Sequence, residues 1–368
     1  MNPLKRLSQQ GQSIWLDYID HHLVTTGGLA RLMAEDDVRG VTSNPAIFEK
    51  AIATDADYRA DLEALRGQGL SAVALLERLV LPDIQAAAGQ LRAVYSDTGG
   101  RDGYVSLEVP PALAHDTDAT VAEARRLWRA VGRDNLMIKV PATLAGLPAI
   151  TVLIAEGINV NATLLFARSM YERVAEAYLA GLERRAAAGL PLDGIASVAS
   201  FFVSRIDSEV DARLVTRLES ASNSVQCDDL RALLGKAAIA NARLAYQSYQ
   251  RIFSGPRWQA LAERGARSQR LLWASTGVKN ATYRDVRYIE ELIGPDTVNT
   301  VPPATLDAFR DHGQVRSTLE EGVADAAALL DGLEAVGISL DEVTDRLLDD
   351  GVTLFVQAYD KLLGALAR

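Results

Sequence analysis

Short apolar stretches recur along this chain at intervals that leave room for a helix between most neighbours, and no other feature constrains the fold as strongly. They run from Ser13 to Ile19, Gly40 to Pro45, Tyr104 to Pro110, Leu136 to Pro141, Ile158 to Phe166, Ile195 to Val203, Leu271 to Thr276 and Thr297 to Pro303, eight in all. The intervening sequence carries apolar residues at steps of three and four, as at Val121, Ala124, Leu127, Trp128 and Val131, which is the spacing of one helical face. Alternating strand and helix imply a parallel sheet, and eight repeats predict closure into a (β/α)8 barrel of the TIM type. An open doubly wound sheet would want a glycine fingerprint after its first strand, and Trp15 to Ile19 is followed by none.

A length of 368 residues would ordinarily suggest two domains of roughly 150 residues, but barrels are a known exception and the strands span most of the chain. One barrel domain over 1–368 is therefore expected, with additional N- and C-terminal and peripheral helices. The additions fall around 213–268, where Leu230, Leu233, Ala237, Asn241 and Leu244 follow helical spacing, and around 315–368. In the second, Ser339 and Glu342 form a capping-box pattern, and Phe355, Tyr359, Leu362 and Leu366 mark one face. These additions read as packing elements, with a homodimer contact as a further possibility. Hydrophobic residues make up 48% and charged residues 23%, the balance of a folded enzyme with an ample core. A net charge of −10 argues against nucleic acid as a partner, so an anionic substrate would need local cations. A lone Cys227 excludes an internal disulfide, the N-terminus shows no apolar signal segment, and no stretch reaches the roughly 20 apolar residues needed to span a membrane. The expectation is a cytoplasmic protein that does not bind membranes.

Lys139 stands within Leu136 to Pro141, a lone amine in an apolar strand. Strands apolar on both faces are normally buried on both, so the amine is expected inside. Desolvation disfavours an ammonium, and each unit by which a lysine pKa falls raises the nucleophilic fraction about tenfold at a cost of roughly 1.4 kcal/mol. Such a lysine is a candidate imine-forming nucleophile. Pairing with a core carboxylate, or snorkelling out at the strand end, would explain it equally well on its own. Other strands supply context. Side chains of one parity share a direction, which groups Thr42 with Asn44, Ser106 with Glu108, Asn159 with Asn161 and Thr163, and Ser200 with Phe202, while Asp17 is the one carboxylate of the first strand. A buried polar group left unpaired costs about 1 to 3 kcal/mol, so polar residues near the same end of five strands point to a shared pocket around Lys139. A lysine, carboxylates and amides around one space suit imine formation followed by making or breaking a carbon–carbon bond. No metal or cofactor is expected, because His21, His22, His115 and His312 form no ligand motif and read as surface residues.

Seven ordered segments together resemble the transaldolases, specifically their longer bacterial subfamily. They are Ser13 to Asp17, Gly40 to Phe48, Val105 to Val109, Asn135 to Pro141, Gly157 to Phe166, Ala199 to Asp207 and Leu272 to Asn280. A lone Lys-Val-Pro would be weak, whereas seven segments in order are specific. The resemblance implies reversible transfer of a dihydroxyacetone unit from sedoheptulose 7-phosphate or fructose 6-phosphate to glyceraldehyde 3-phosphate or erythrose 4-phosphate, in the nonoxidative pentose phosphate pathway. By position, Lys139 matches the imine-forming lysine and Asp17 the acid/base for the C4 hydroxyl. Glu108 and Thr163 match the pair that holds the water used in imine proton transfer. Asn44 and Asn161 match the amides that hold the dihydroxyacetone hydroxyls, with Thr42 beside them. Ser200 and Arg205 match ligands of phosphate or a terminal hydroxyl, the alternative for Arg205 being an ion pair with Asp207 or Glu209. Two departures stand out. The seventh segment offers Ser275 and then Lys279 where many relatives have serine and arginine, so a point charge replaces a guanidinium fork. Phe202 occupies the position where fructose 6-phosphate aldolases, which would release free dihydroxyacetone, carry a tyrosine whose hydroxyl could protonate the carbanion.

Overall fold

The computed structural model describes residues 2–54, 56–65 and 67–367. Its eight strands are β1 (Gln12–Leu16), β2 (Val38–Thr42), β3 (Tyr104–Glu108), β4 (Leu136–Pro141), β5 (Val160–Leu165), β6 (Ser197–Phe202), β7 (Arg270–Ala274) and β8 (Thr297–Val301). They pair in parallel and in chain order, and β8 closes on β1 with Trp15 beside Thr300. The expected barrel is the observed fold. Several strands end earlier than their apolar runs. β2 stops at Thr42 because Asn44 accepts a hydrogen bond from the Ile47 amide at 3.0 Å and caps the helix that Pro45 opens. β1 stops at Leu16, yet the Asp17 amide still donates to the Val301 carbonyl at 2.9 Å, which pins Asp17 at the barrel mouth.

Register assigns the faces. Glu108 lies beside Lys139 and Lys139 beside Asn161, so these side chains share the inner face, as do Thr42 and its neighbour Ser106. Deeper in the barrel the Trp15 indole fills the centre against Gly40, where a Cβ would fall 2.5 Å from the ring. β5 carries the main irregularity. Three steps from Ala162 to Leu165 face two on β6 from Ala199 to Phe201, and Leu164 takes up the extra residue at φ 60°. Such a bulge exchanges the two faces beyond it, and Phe166 accordingly turns inward to meet Phe202 at 5.1 Å between ring centroids.

A hydrogen-bonded network around Asp102 occupies part of the N-terminal end. Asp102 accepts from Ser13 Oγ at 2.7 Å, from Trp15 Nε1 at 3.1 Å and from Arg270 Nη2 at 2.9 Å. Arg270, absent from the expected span of the seventh strand, opens β7 and is 5% exposed. Burial alone would raise the Asp102 carboxyl, but the Arg270 guanidinium outweighs it and holds the group below the usual carboxylate range.

The helical additions are more segmented than their spacing suggests. The first forms helices at Ser204–Glu219, Ser224–Leu233, Ala237–Ile252 and Pro256–Ala262. The spacing from Leu230 to Leu244 crosses a break at Gly235, whose φ of 67° suits no continuous helix. The second forms Val323–Ala335 and Leu340–Leu366, the latter capped by Ser339 Oγ accepting from the Glu342 amide. This last helix packs against the helix that follows β2, the short turn after β3, the end of β5 and the helix that follows β6. It therefore borders the C-terminal mouth. No helix of the described residues is long and apolar enough to cross a membrane.

Candidate active site

Lys139 projects from the middle of β4 into the barrel and is 5% exposed. Its Nζ donates to the Ser43 carbonyl at 3.0 Å and stands 3.6 Å from Glu108 Oε2, an ion-pair distance too long for a hydrogen bond. Both readings left open by the sequence thus meet here, since the buried amine has a carboxylate neighbour. That neighbour is unusual. Burial pushes the Glu108 carboxyl up to about 7 against the pull of Lys139, so it can hold or yield a proton near neutral pH. Neither Glu108 oxygen has a hydrogen-bond partner among the described residues, and the Oγ1 of buried Thr163 also lacks one. Orphaned buried groups of this kind suit a site completed by substrate or water.

Asp17 sits across the mouth at the end of β1. Its Oδ1 accepts from Thr42 Oγ1 at 2.7 Å, and Thr42 in turn meets Thr300 Oγ1 at 2.6 Å. Enclosure raises the Asp17 carboxyl, opposed by Lys139, by the Thr42 bond and by Lys279. Asn161 lies at the level of Lys139 and is held at both ends, donating to Ser106 Oγ at 3.0 Å and accepting from Ser200 Oγ at 2.6 Å. Ser200 is thus tied to the amide side of the pocket. Asn44 uses its oxygen as the helix cap, which orients its Nδ2 end as the one available to a hydroxyl. Asn159, of matching parity, instead stitches strand entrances together through the Asp134 and Leu136 carbonyls.

On the far side of the pocket the Arg205 guanidinium lies 5.6 Å from the centre of the Phe202 ring. Among the described residues it forms no ion pair with Asp207 or Glu209. Asp207 accepts from the Ala238 amide and Tyr288, and Glu209 pairs with Arg213 and Arg346. Partial burial lowers the Arg205 pKa, and it also lowers that of Lys279, where Arg205 adds to the effect and Asp17 opposes it. Lys279 is exposed and feels the charges of both Arg205 and Asp17. Ser275 takes φ 56°, and its Oγ contacts Ser204 Oγ at 3.1 Å. With Leu164 beside Thr163, this places left-handed backbone at two points of the mouth, where strain commonly accompanies function.

The family model of the transaldolase/fructose-6-phosphate aldolase family matches residues 14–366. Transaldolase 1 of Streptomyces avermitilis is 52% identical over 365 residues, covering 99% of this chain and 94% of that protein. Transaldolase of Thermobifida fusca is 50% identical over 368 residues, covering 100% and 98%, and Transaldolase 2 of a Nostoc species is 48% identical over 369 residues, covering 100% and 97%. The chain belongs to the transaldolase/fructose-6-phosphate aldolase family.

Within this family member the barrel brings the catalytic candidates Lys139, Asp17, Glu108 and Thr163 and the amides Asn44 and Asn161 to one mouth. Sequence reasoning missed four residues that contact Lys139, Thr42, Phe202 and Ser275. The Ser43 carbonyl is backbone and carries no side-chain signal. Thr300, however, is an inward polar residue on β8 and follows from the same parity rule that found Thr42. Phe166 was hidden by the bulge that reverses its face, and Ser204 by the turn after β6. The histidines are not uniformly superficial either, since His21 is half-buried with Nδ1 2.9 Å from Asp83 Oδ1.

Proposed function

We propose that this chain is a transaldolase that carries a dihydroxyacetone unit as an imine on Lys139, working as a single barrel whose helical additions wall the mouth. The observation that carries the reading is the buried Lys139 amine, 3.6 Å from a Glu108 carboxyl whose oxygens have no hydrogen-bond partner among the described residues. In this scheme the amine attacks the ketone of sedoheptulose 7-phosphate or fructose 6-phosphate. Glu108 and Thr163 hold a water that relays the proton from Glu108 to the carbinolamine hydroxyl, which leaves as water. Asp17 then takes the proton of the C4 hydroxyl, the C3–C4 bond breaks, and the protonated imine absorbs the electron pair. Asn44 and Asn161 hold the hydroxyls of the three-carbon fragment, Asn161 being oriented by Ser106 and Ser200. Arg205, with Lys279 and Ser275, receives the phosphate.

The fragment waits for an aldehyde because Phe202 has no hydroxyl to protonate its carbanion. Attack on glyceraldehyde 3-phosphate or erythrose 4-phosphate and hydrolysis of the imine complete the transfer. On this reading the enzyme works in the cytoplasm, in the interconversion of sugar phosphates. The test is acceptor dependence. Fructose 6-phosphate consumption is expected to require an added acceptor aldehyde, and steady stoichiometric release of free dihydroxyacetone without one would identify an aldolase instead.

A further inference from the structure

The C-terminal helix Leu340–Leu366 contains a buried glycine, Gly351, well inside its length. Glycine weakens a helix interior, so its presence there calls for a local cause. A Cβ built on Gly351 would stand 3.0 Å from Leu164 Cδ2 and 3.7 Å from Phe166 Cε2. The helix backbone therefore lies directly on the bulge of β5. Leu164 is the residue that absorbs the bulge at φ 60°, a conformation poorly suited to a branched side chain and held only when its surroundings fix it. Its neighbours belong to the site. Thr163 precedes it with an unpartnered, fully buried hydroxyl, and Phe166 follows it and packs on Phe202. One further bond, from Asn241 Nδ2 to the Phe166 carbonyl at 2.8 Å, fixes the far side of the bulge.

We infer that Gly351 is a positioning residue for the imine chemistry: by bringing the C-terminal helix onto Leu164 it holds the β5 bulge in the form that aims Thr163 and Phe166 into the pocket. This rests on the transaldolase reading, in which Thr163 serves imine formation and breakdown. The contact acts through the bulge and touches neither substrate nor Lys139. It also makes the C-terminal helix part of the catalytic geometry, since a small displacement of a positioned group can cost a large factor in rate.

The test compares Gly351→Val, Leu164→Ala and the double variant with the parent enzyme in transfer kinetics, thermal midpoint and the rate of borohydride-trapped adduct formation on Lys139. Valine drives a branched carbon into Leu164. Gly351→Val is expected to lower kcat and the trapping rate by on the order of 10- to 100-fold, with KM for the phosphorylated donor much less affected because Arg205, Ser275 and Lys279 lie on other segments. Leu164→Ala removes the atoms that valine strikes, so the double variant is expected to be faster than Gly351→Val alone. If Gly351→Val does not fold, Gly351→Ala, which needs Leu164 to yield by only a few tenths of an ångström, is expected to lower kcat in the same direction. Variants that lose thermal stability while keeping the parent kcat, or a double variant no faster than Gly351→Val, would overturn the inference. An inactive parent would instead refute the functional reading and the inference with it.

Discussion

The two ends of the barrel both bury charge, and they treat it in opposite ways. At the N-terminal end Asp102 is bound by Ser13, Trp15 and Arg270, so the charged pair is neutralised and furnished with hydrogen bonds. At the C-terminal end Glu108 and Thr163 lack hydrogen-bond partners among the described residues, and Lys139 meets Glu108 only at 3.6 Å. A satisfied network fixes geometry and gives a ligand nothing to add. An unsatisfied one is held in place by the surrounding fold and is open to completion by what binds, so in the proposed mechanism the same polar residue types that stabilise one end serve catalysis at the other.

The largest departure from this contrast would come from Asp17. If it moves the C4 proton, Asp17→Asn should lower kcat by roughly 10²-fold or more, the scale of a lost general base, while imine trapping on Lys139 survives better than turnover. Equal loss of trapping and turnover would assign Asp17 to folding or imine formation and not to bond cleavage. Arg205→Ala should act on binding. Losing a charged hydrogen bond to phosphate costs about 1.5 to 3 kcal/mol, expected mainly as a higher KM and only for phosphorylated substrates. An equal effect on unphosphorylated donors would remove the phosphate from Arg205 and make Lys279 the next residue to test.

At the opposite end the expected change is in stability and not in catalysis. Asp102→Asn leaves the Arg270 guanidinium buried without its counter-charge, which should cost about 3 to 5 kcal/mol in denaturant unfolding while the folded fraction keeps its kcat. The sign with pH follows from the lowered carboxyl. Its contribution is present above the unfolded carboxylate value and is lost as pH falls through the lower folded value, so the variant should lack that part of the acid-side decline. A variant with undiminished stability but lower kcat would erase the distinction between the two ends.

Much of the barrel could be read from the chain because parallel strands buried on both faces leave an uninterrupted apolar signal, and polar exceptions such as Lys139 and Asn161 then stand out. Parity put Ser106 and Glu108 on one face, and the register of β3 against β4 has them so. It failed at Phe166, where the extra residue at Leu164 exchanges faces, because nothing in a local leucine-rich run marks a left-handed residue. Arg270 was passed over for the opposite reason: a charge at a strand start looks like a boundary until Asp102, distant in sequence, supplies its partner. Backbone partners such as the Ser43 carbonyl exist only once the strands are assembled.

The claim on which the rest depends is that Lys139 forms the covalent intermediate. Incubation with fructose 6-phosphate and borohydride, followed by peptide mapping, should show a reduced three-carbon adduct on Lys139 and none in Lys139→Arg. An adduct on another lysine, or transfer activity that persists in Lys139→Arg, would contradict the account.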